Sequence, residues 1–283
     1  MNPFNCTQAL AAAQRLGIDR LDAQLLLLHA LGKPASDRSW LVAHDTDELA
    51  PDVVSLFHAM SLRRAGGEPL AYIVGYKDFF GLSLQVDQRV LVPRPDTETL
   101  VEWSLAVLNL QTLTPPLKVL DLGTGSGAIA LAIAHSLKAT NSEAQVTAVD
   151  ASANALNVAR ENARRLGVDV AFIESFWLQE VQERFHLIAS NPPYIASADP
   201  HLAALVHEPL QALTAGVDGL DDIRHIIQQA PGHLLPGGWL LLEHGYNQAE
   251  HVRGLLGRRG FLQVQSRQDL AGIARCSGGQ WPA

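Results

Sequence analysis

The sequence predicts an α/β protein, in which a mostly parallel β-sheet carries helices on both faces and follows a small helical bundle. Three observations favour this fold. From Lys118 onward, short apolar strands alternate with helical segments, as in parallel βαβ units. Before about residue 70, leucines instead recur at helical spacing. The length of 283 residues is close to two domains of roughly 150 residues each.

Three regions are predicted along the chain. Residues 1–71 form a helical domain, because their apolar residues fall on helix faces. Residues 72–92 are rich in β-branched and aromatic residues separated by turn signals, which predicts a β-hairpin linker. Residues 93–283 form the α/β domain, which begins where Pro93-Arg94-Pro95-Asp96 ends a strand and starts a helix.

Apolar periodicity predicts the elements of the α/β domain. Strands are expected at Val119–Leu120, Val146–Val149, Val170–Ile173, His186–Ser190, Trp239–Glu243 and Phe261–Gln265. Helices are expected at Ala128–Leu137, Ser152–Leu166, Gly219–Leu235 and Gln248–Arg258. Parallel strands end at one edge of a sheet, and that edge is where ligands bind in open α/β sheets.

Composition and charge exclude several classes of protein. With 47% hydrophobic and 18% charged residues, the chain can bury large cores and is unlike a disordered chain. The longest apolar run, Ala128–Ala134, has seven residues, whereas a membrane-spanning helix needs about 20. The N-terminus lacks the basic and apolar segments of a signal peptide, so a cytoplasmic protein is expected. A net charge of −8 disfavours a broad nucleic-acid-binding surface.

The cysteines and histidines show no disulfide or metal-binding pattern. Cys6 and Cys276 lie near opposite ends of the chain, and neither belongs to a CxxC motif. The 11 histidines are scattered, without an HExxH motif. We therefore expect no metal site.

A glycine-rich loop, Gly123 to Gly127, follows the first strand of the α/β domain and precedes a helix. Its G-x-G-x-G spacing differs from the G-x-G-x-x-G of dinucleotide sites. Asp121, two residues before the loop, would repel a pyrophosphate and attract an ammonium group. This combination favours S-adenosylmethionine, whose methionine part carries an amine and a carboxylate that helix N–H groups can bind. A glycine turn without a ligand is the alternative.

Asp150 ends the next strand, and an acid at this position can accept hydrogen bonds from both ribose hydroxyls of a nucleoside. Strands often end in Asp, so this signal depends on the preceding glycine loop. The two together indicate a nucleoside-containing cofactor.

The sequence Asn191-Pro192-Pro193-Tyr194 follows the apolar strand that ends at Ser190. The prolines stiffen the turn and remove backbone donors, which leaves carbonyl oxygens free. An Asn side chain with a Pro carbonyl can hold a planar NH₂ group while an aromatic ring packs against it. Such a site suits methyl transfer to an amide or exocyclic amine nitrogen. The alternative is a proline turn with a capping Asn.

These motifs together resemble the HemK/PrmC family of protein-glutamine methyltransferases, and the similarity extends over nearly the whole chain. Further segments that carry it are Arg63–Ala65, Gly67–Ile73, Val92–Glu98, Glu208-Pro209, Ala212-Leu213, Asp218–Leu220, Leu242–Gly245, Asp269 and Arg275. The Asn-Pro-Pro-Tyr motif also occurs in adenine and guanine amino-methyltransferases, whereas the whole set does not. The resemblance implies a Rossmann-like S-adenosylmethionine-dependent methyltransferase domain joined by a β-hairpin to an N-terminal helical bundle.

The resemblance also implies an activity and a partner. The family methylates the side-chain amide nitrogen of the glutamine in the Gly-Gly-Gln motif of class I peptide chain release factors. Residues 1–71 would dock the release factor while the cleft receives its Gly-Gly-Gln loop. No direct nucleic-acid or membrane binding is expected.

Roles for individual residues follow from the same resemblance. The methionine part of the cofactor would lie against Asp121, Gly123, Thr124, Gly125, Ser126 and Gly127, and the ribose against Asp150. Phe176 would stack on the adenine. Ser175 stands where the family often has an acid, so Glu174 or a backbone group would contact the adenine amino group.

The substrate would be held by the residues of the Asn-Pro-Pro-Tyr motif. Asn191 and Pro192 would accept hydrogen bonds from the substrate amide, Tyr194 would pack on the glutamine, and Pro193 would complete the pocket. Asn191 would also border the cofactor. Asn191, Pro192 and Tyr194 are thus the expected catalytic residues, and no general base is assigned.

Three rival functions are disfavoured. A nucleic-acid adenine or guanine amino-methyltransferase would need a basic surface to hold the backbone, which the acidic balance disfavours. A non-catalytic binding protein would not need Asp121, Asp150 and the Asn-Pro-Pro-Tyr motif together. A dehydrogenase is disfavoured by the glycine spacing.

Three further features have two interpretations each. Arg94 and Glu98 either line the cleft or fix the following helix and the hairpin. Gly278-Gly279-Gln280 spells the substrate motif in the chain's own C-terminal segment. We expect this to be a coincidence in a frayed terminus, and self-methylation is the alternative.

Overall fold

The structure, a computed structural model, describes residues 4–109, 113 and 115–283. The chain divides into two compact units, Met1–Tyr76 and Lys77–Ala283. Within the described residues, no helix has the length and apolar character needed to span a membrane.

The first unit is helical. Its helices are α1 (Cys6–Arg15), α2 (Arg20–Ala30), α3 (Arg38–Ala43), α4 (Pro51–Ala65) and α5 (Leu70–Val74). Asn5 and Gln8 form a capping box at the start of α1, and the Asp19 side chain accepts from Leu21 N at the start of α2. Leu26, Leu27 and Leu28 of α2 are fully buried in the core of this unit.

The β-hairpin is shorter than the expected 72–92. Residues 70–74 form helix α5, which follows Pro69 and ends at Gly75 in a left-handed conformation. Strands β1 (Tyr76–Phe79) and β2 (Leu82–Gln85) then pair across a two-residue turn, Phe80-Gly81, in which both residues have positive φ. A proline before the helix and a left-handed residue after it explain why residues 72–74 are helical rather than extended.

The second unit contains the α/β domain. Its helices are α6 (Glu98–Leu108), α7 (Ala128–Ala139), α8 (Ala153–Leu166), α9 (Asp221–Gln229) and α10 (Ala249–Arg259). Its strands are β3 (Leu117–Leu122), β4 (Ala144–Asp150), β5 (Ala171–Glu174), β6 (Phe185–Ser190), β7 (Leu234–Glu243), β8 (Leu262–Gln268) and β9 (Ala274–Gln280).

These strands form a sheet of order β5-β4-β3-β6-β7-β9-β8. The neighbours from β5 to β7 are parallel, and β9 is antiparallel to both β7 and β8. After β3 the chain adds β4 and β5 on one side, and it then returns to place β6 on the other side. The strand order therefore reverses between β3 and β6, which is where open α/β sheets bind ligands at their carboxyl ends.

Apolar residues cover both faces of the sheet. On β3, Val119 packs into one buried cluster with α6 and α7, whereas Leu120 and Leu122 pack into another with α9 and α10. Successive side chains of a strand point to opposite faces, so one strand contributes to both cores. This arrangement confirms the predicted α/β fold with helices on both faces of a mostly parallel sheet.

The C-terminal Gly278-Gly279-Gln280 is not frayed, so that expectation was wrong. These residues belong to β9, where Gly278 pairs with Leu241 of β7 on one side and Gln265 of β8 on the other. A Cβ atom on Gly278 would overlap the Leu241 side chain. Glycine at this position lets the neighbouring strands approach closely. Because glycine has a weak strand propensity, the sequence pattern does not predict a strand here.

Candidate active site

The predicted site residues converge at the carboxyl edge of the sheet, around the reversal of strand order. The glycine loop follows β3, Asp150 ends β4 and Asn191 follows β6. Ser190 Oγ donates to Leu122 O at 2.7 Å, which fixes the ends of β3 and β6 against each other. Residues far apart in sequence thus border one cleft.

The glycine loop is held against β4 by backbone hydrogen bonds. The amides of Gly123 and Thr124 both donate to Val149 O, at 2.8 and 2.9 Å. Gly127 has φ of 86° and precedes α7, and a Cβ atom on it would come within 2.8 Å of the Leu131 side chain. A side chain at this position would therefore be strained both by the backbone conformation and by its neighbours.

Asp121 lies fully buried beneath this loop. Its Oδ2 atom accepts from Thr124 Oγ1 at 2.7 Å and from Ala130 N at 3.1 Å. Its Oδ1 atom has no hydrogen-bond partner among the described residues. Burial raises the pKa of Asp121 to about 7.

Asp150 connects the end of β4 to the glycine loop. Its Oδ2 atom accepts from Gly125 N and its Oδ1 atom from Ser152 N, both at 2.9 Å. Burial raises the pKa of Asp150. Each carboxylate oxygen has a second lone pair, so both oxygens can still accept from a ligand.

A cavity of about 510 Å³ lies along this edge. Of the predicted residues it is lined by Gly123, Gly125, Asp150, Phe176, Asn191 and Pro193. The remaining residues of the glycine loop, Thr124, Ser126 and Gly127, lie behind the wall of this cavity. The Thr124 hydroxyl is bonded to Asp121, Ser126 O accepts from Asn162 Nδ2 at 2.9 Å, and Gly127 begins α7.

One end of this cavity has an aromatic wall. Phe176 is 50% exposed there, and the buried Trp177 lies beside it with 6.0 Å between ring centroids. Trp177 Nε1 donates to Asp222 Oδ1 at 3.1 Å, and both residues line the cavity. The Ser175 hydroxyl accepts from Glu180 N at 3.0 Å, and Glu174 is exposed at the end of β5. Sequence reasoning missed Trp177 and Asp222, which reach the cavity through tertiary folding.

A second cavity of about 350 Å³ adjoins the first. It is lined on its far side by Arg94, Pro192, Tyr194, Leu205 and Leu213. Leu91, Asn191 and Ala212 line both cavities. Asn191 is therefore the polar residue that borders both compartments.

Thr97 and Glu243 form a buried polar cluster with Asn191 and Tyr194. Asn191 Nδ2 donates to Thr97 Oγ1 at 3.2 Å, and Tyr194 Oη donates to Glu243 Oε1 at 3.4 Å. Glu243 is 1% exposed, and burial raises its pKa to about 7, while the nearby Thr97 hydroxyl opposes that rise. Its Oε2 atom has no hydrogen-bond partner among the described residues. Burial likewise raises the pKa of Tyr194.

Glu243 carries the same sequence signal as Asp150, an acid at the end of an apolar strand. Because β7 is parallel to β6, its end lies at the same edge as Asn191. Applying that signal to β7 would have identified Glu243. Thr97 offers no comparable signal, since it lies in a 3₁₀ turn (Pro95–Thr97) before α6.

The structure distinguishes between the two interpretations given for Arg94 and Glu98. Arg94 lines the second cavity and pairs with the buried Glu208, whose Oε2 also accepts from Val92 N at 3.0 Å. Glu98 Oε1 accepts from Phe80 N at 2.9 Å and so fixes the hairpin turn. Arg94 thus borders the cleft, and Glu98 has a structural role.

Comparisons with known proteins match both units. The family model "PrmC N-terminal domain" matches residues 5–75, and "Methyltransferase small domain" matches residues 104–216. The release factor glutamine methyltransferase of Bordetella pertussis is 48% identical over 267 residues, which are 93% of this chain and 95% of the relative. That of Xylella fastidiosa is 46% identical over 278 residues, 97% of this chain and 98% of the relative.

Among solved structures, the 16S rRNA N2 G1207 methyltransferase of T. thermophilus aligns with a TM-score of 0.53 and 18% identity. The alignment covers 72% of this chain and 49% of that one, and it supports the methyltransferase fold alone. The relatives, in contrast, match over nearly their full length at 46–48% identity. On this similarity, the chain belongs to the release factor glutamine methyltransferase family.

Proposed function

We propose that this protein transfers a methyl group from S-adenosylmethionine to the side-chain amide nitrogen of the glutamine in the Gly-Gly-Gln motif of class I release factors. The observation that carries this proposal is the position of Asn191, which borders both cavities. One compartment would hold the methyl donor and the other the substrate side chain, so donor and acceptor would meet at Asn191.

The residues that line the first cavity, and the acid buried behind its glycine loop, fit S-adenosylmethionine. The unpaired, buried Oδ1 of Asp121 suits an ammonium group beside the glycine loop. Asp150 would accept from the ribose hydroxyls, and Phe176 would stack on the adenine. Asp222 joins Glu174 and backbone groups as a candidate contact for the adenine amino group, since it lines the same end. When bound, the sulfonium supplies the methyl group.

The second cavity would hold the glutamine side chain. Asn191 and Pro192 would accept hydrogen bonds from the substrate NH₂ group, and Tyr194 would pack on the glutamine. Because the lone pair of an amide nitrogen is delocalised, transfer depends on holding that nitrogen in line with the methyl group. Positioning of this kind needs no general base, and the proton leaves to solvent after transfer.

Mass spectrometry of a purified class I release factor, incubated with this protein and S-adenosylmethionine, tests the proposal. We expect a gain of one methyl group on the Gly-Gly-Gln glutamine and no gain on a factor whose glutamine is replaced by glutamate. If calorimetry shows cofactor binding but no release factor gains a methyl group, the proposed substrate is wrong. Adenine and guanine amino groups of nucleic acids would then be tested.

We also propose that residues 1–71 form a separate docking domain for the release factor. The described part of this region has its own buried core, and the PrmC N-terminal domain model matches residues 5–75. Hydrogen exchange of the full chain with and without release factor tests this. Added factor should slow exchange of backbone amides within residues 5–71. Protection confined to residues 77–283 would contradict a docking role.

A further inference from the structure

On the basis of the proposed function, we propose that Glu243 and Thr97 are positioning residues for Asn191. In its ionised form, Glu243 would fix the direction of the Thr97 hydroxyl. Thr97 would in turn hold the amide nitrogen of Asn191, so that the amide oxygen is presented to the substrate. The catalytic contact would be made by Asn191, and these two residues would act through it.

The direction of this chain of hydrogen bonds follows from donor and acceptor counts. A carboxylate can only accept, and a hydroxyl has a single hydrogen to donate. Thr97 Oγ1 accepts from Asn191 Nδ2 at 3.2 Å. Its single hydrogen is then left for the nearby carboxylate of Glu243, whose buried Oε2 atom has no hydrogen-bond partner among the described residues. The free end of the Asn191 amide is then its oxygen, which is the atom needed to bind a substrate N–H.

Protonation of Glu243 would remove this constraint. A carboxylic acid can donate to Thr97, whose hydroxyl could then donate to the oxygen of Asn191. The Asn191 amide would turn and present its NH₂ group to the substrate NH₂ group, so that two donors would face each other. The orientation of Asn191 thus depends on the charge of Glu243.

That charge changes near neutral pH, because burial raises the pKa of Glu243 to about 7. Charged and titratable groups face it from three elements. Asp96, in the turn before α6, raises this pKa, whereas Arg275 on β9 lowers it. Tyr194, after β6, donates to the carboxylate, and Cys276 on β9 remains a thiol because burial and Glu243 raise its pKa.

Glu243 would also connect Asn191 and Tyr194, two of the side chains that border the second cavity. Glu243 Oε1 accepts from Tyr194 Oη at 3.4 Å, which leaves the unpartnered Oε2 atom for the Thr97 hydroxyl. Since burial raises the pKa of Tyr194, its hydroxyl remains a donor throughout the neutral range. One buried carboxylate would therefore align both Asn191, through Thr97, and Tyr194.

Single-turnover methylation of a release factor tests the positioning role. Thr97→Val keeps the side-chain shape and removes the hydroxyl, and we expect a rate about 10- to 100-fold lower. The dissociation constant of S-adenosylmethionine should stay within about twofold, and Thr97→Ser should recover most of the rate. Ser104→Ala is the matched control, because it removes a buried hydroxyl that donates to Leu100 O within α6. A wild-type rate in Thr97→Val would overturn the proposal.

The dependence of the methylation rate on pH is a second test. If Glu243 had only a structural role, replacing it would not change the shape of this pH profile. The wild-type rate should rise with pH through an apparent pKa near 7, as Glu243 ionises. Glu243→Gln, which keeps the size of the side chain, should be slow and lose this transition. A transition retained in Glu243→Gln would contradict the assignment.

An NMR titration separates this proposal from the proposed function. In protein with ¹⁵N-labelled asparagine, the side-chain signal of Asn191 is assigned by its loss in Asn191→Ala. Without substrate, this signal should shift with an apparent pKa near 7 in the wild type and not in Glu243→Gln. If the wild type methylates no release factor, the proposed function fails while this titration still decides the positioning. If the signal does not respond to pH, the positioning role is wrong whatever the substrate.

Discussion

A fully buried acid lies behind each compartment of the cleft, and burial raises the pKa of each to about 7, but the two acids are held differently. Asp121 is bonded to Thr124 and Ala130, both within nine residues of it. Glu243 is instead bonded to Tyr194, 49 residues away, and lies near Thr97, which directly precedes α6. The cofactor end is thus a local loop structure, whereas the substrate end depends on the assembled sheet. We therefore expect mutations to affect the two ends separately.

The largest effect is expected from Asn191→Ala. Removing the amide acceptor should lower the single-turnover rate by about 100-fold or more, because the substrate nitrogen is no longer held in line. The dissociation constant of S-adenosylmethionine, measured by calorimetry, should change only a few-fold. Unchanged turnover would refute the role of Asn191. If cofactor affinity fell as much as the rate, the cofactor end and the substrate end of the cleft would not be independent.

Asp150→Ala should have the opposite profile. Loss of hydrogen bonds to a charged group should weaken cofactor binding by about 10- to 100-fold. The rate at saturating cofactor should stay within a few-fold of the wild type. Asp169→Ala, which removes an exposed acid before β5, is the control for the lost charge. An unaltered dissociation constant in Asp150→Ala would contradict the ribose assignment.

A smaller effect is expected from pH on cofactor affinity. The pKa of Asp121 lies near 7, so its carboxyl group is neutral below that pH and loses its attraction for an ammonium group. Affinity for S-adenosylmethionine should therefore rise about five- to tenfold between roughly pH 6 and 7.5. Asp121→Asn should abolish this dependence and Glu243→Gln should retain it. If Asp121→Asn retained this pH dependence and Glu243→Gln abolished it, the separate roles assigned to the two acids would be wrong.

The smallest effect, none, is expected at Gln280. Its Nε2 atom donates to Gly237 O at 2.9 Å and its Oε1 atom accepts from Gln263 Nε2 at 2.6 Å, within a paired strand. The chain incubated with S-adenosylmethionine alone should gain no methyl group on the C-terminal peptide. A methyl group found on Gln280 would revive the self-methylation hypothesis.

Sequence reasoning succeeded where a site residue lies next to an apolar strand. Asp150 and Asn191 both follow such strands, and the sheet brings them to one cavity. Thr97, Trp177 and Asp222 were missed because turns and a helix carry them to the cleft through tertiary packing. The structure also adds Glu243, whose strand-end signal was present but had been assigned no role. Local motifs therefore predicted most of the cofactor end and only part of the substrate end.

The position of β9 has a consequence for the order of assembly during synthesis. Although β9 follows β7 and β8 in the chain, it lies between them in the sheet, so β8 has no strand to pair with until β9 has been made. Arg275, which β9 carries, lowers the pKa of Glu243. Because chains emerge from the N-terminus, β3, β4 and the glycine loop are available long before this strand. A nascent chain that stops before residue 274 would contain every cofactor residue proposed above and lack part of the substrate end.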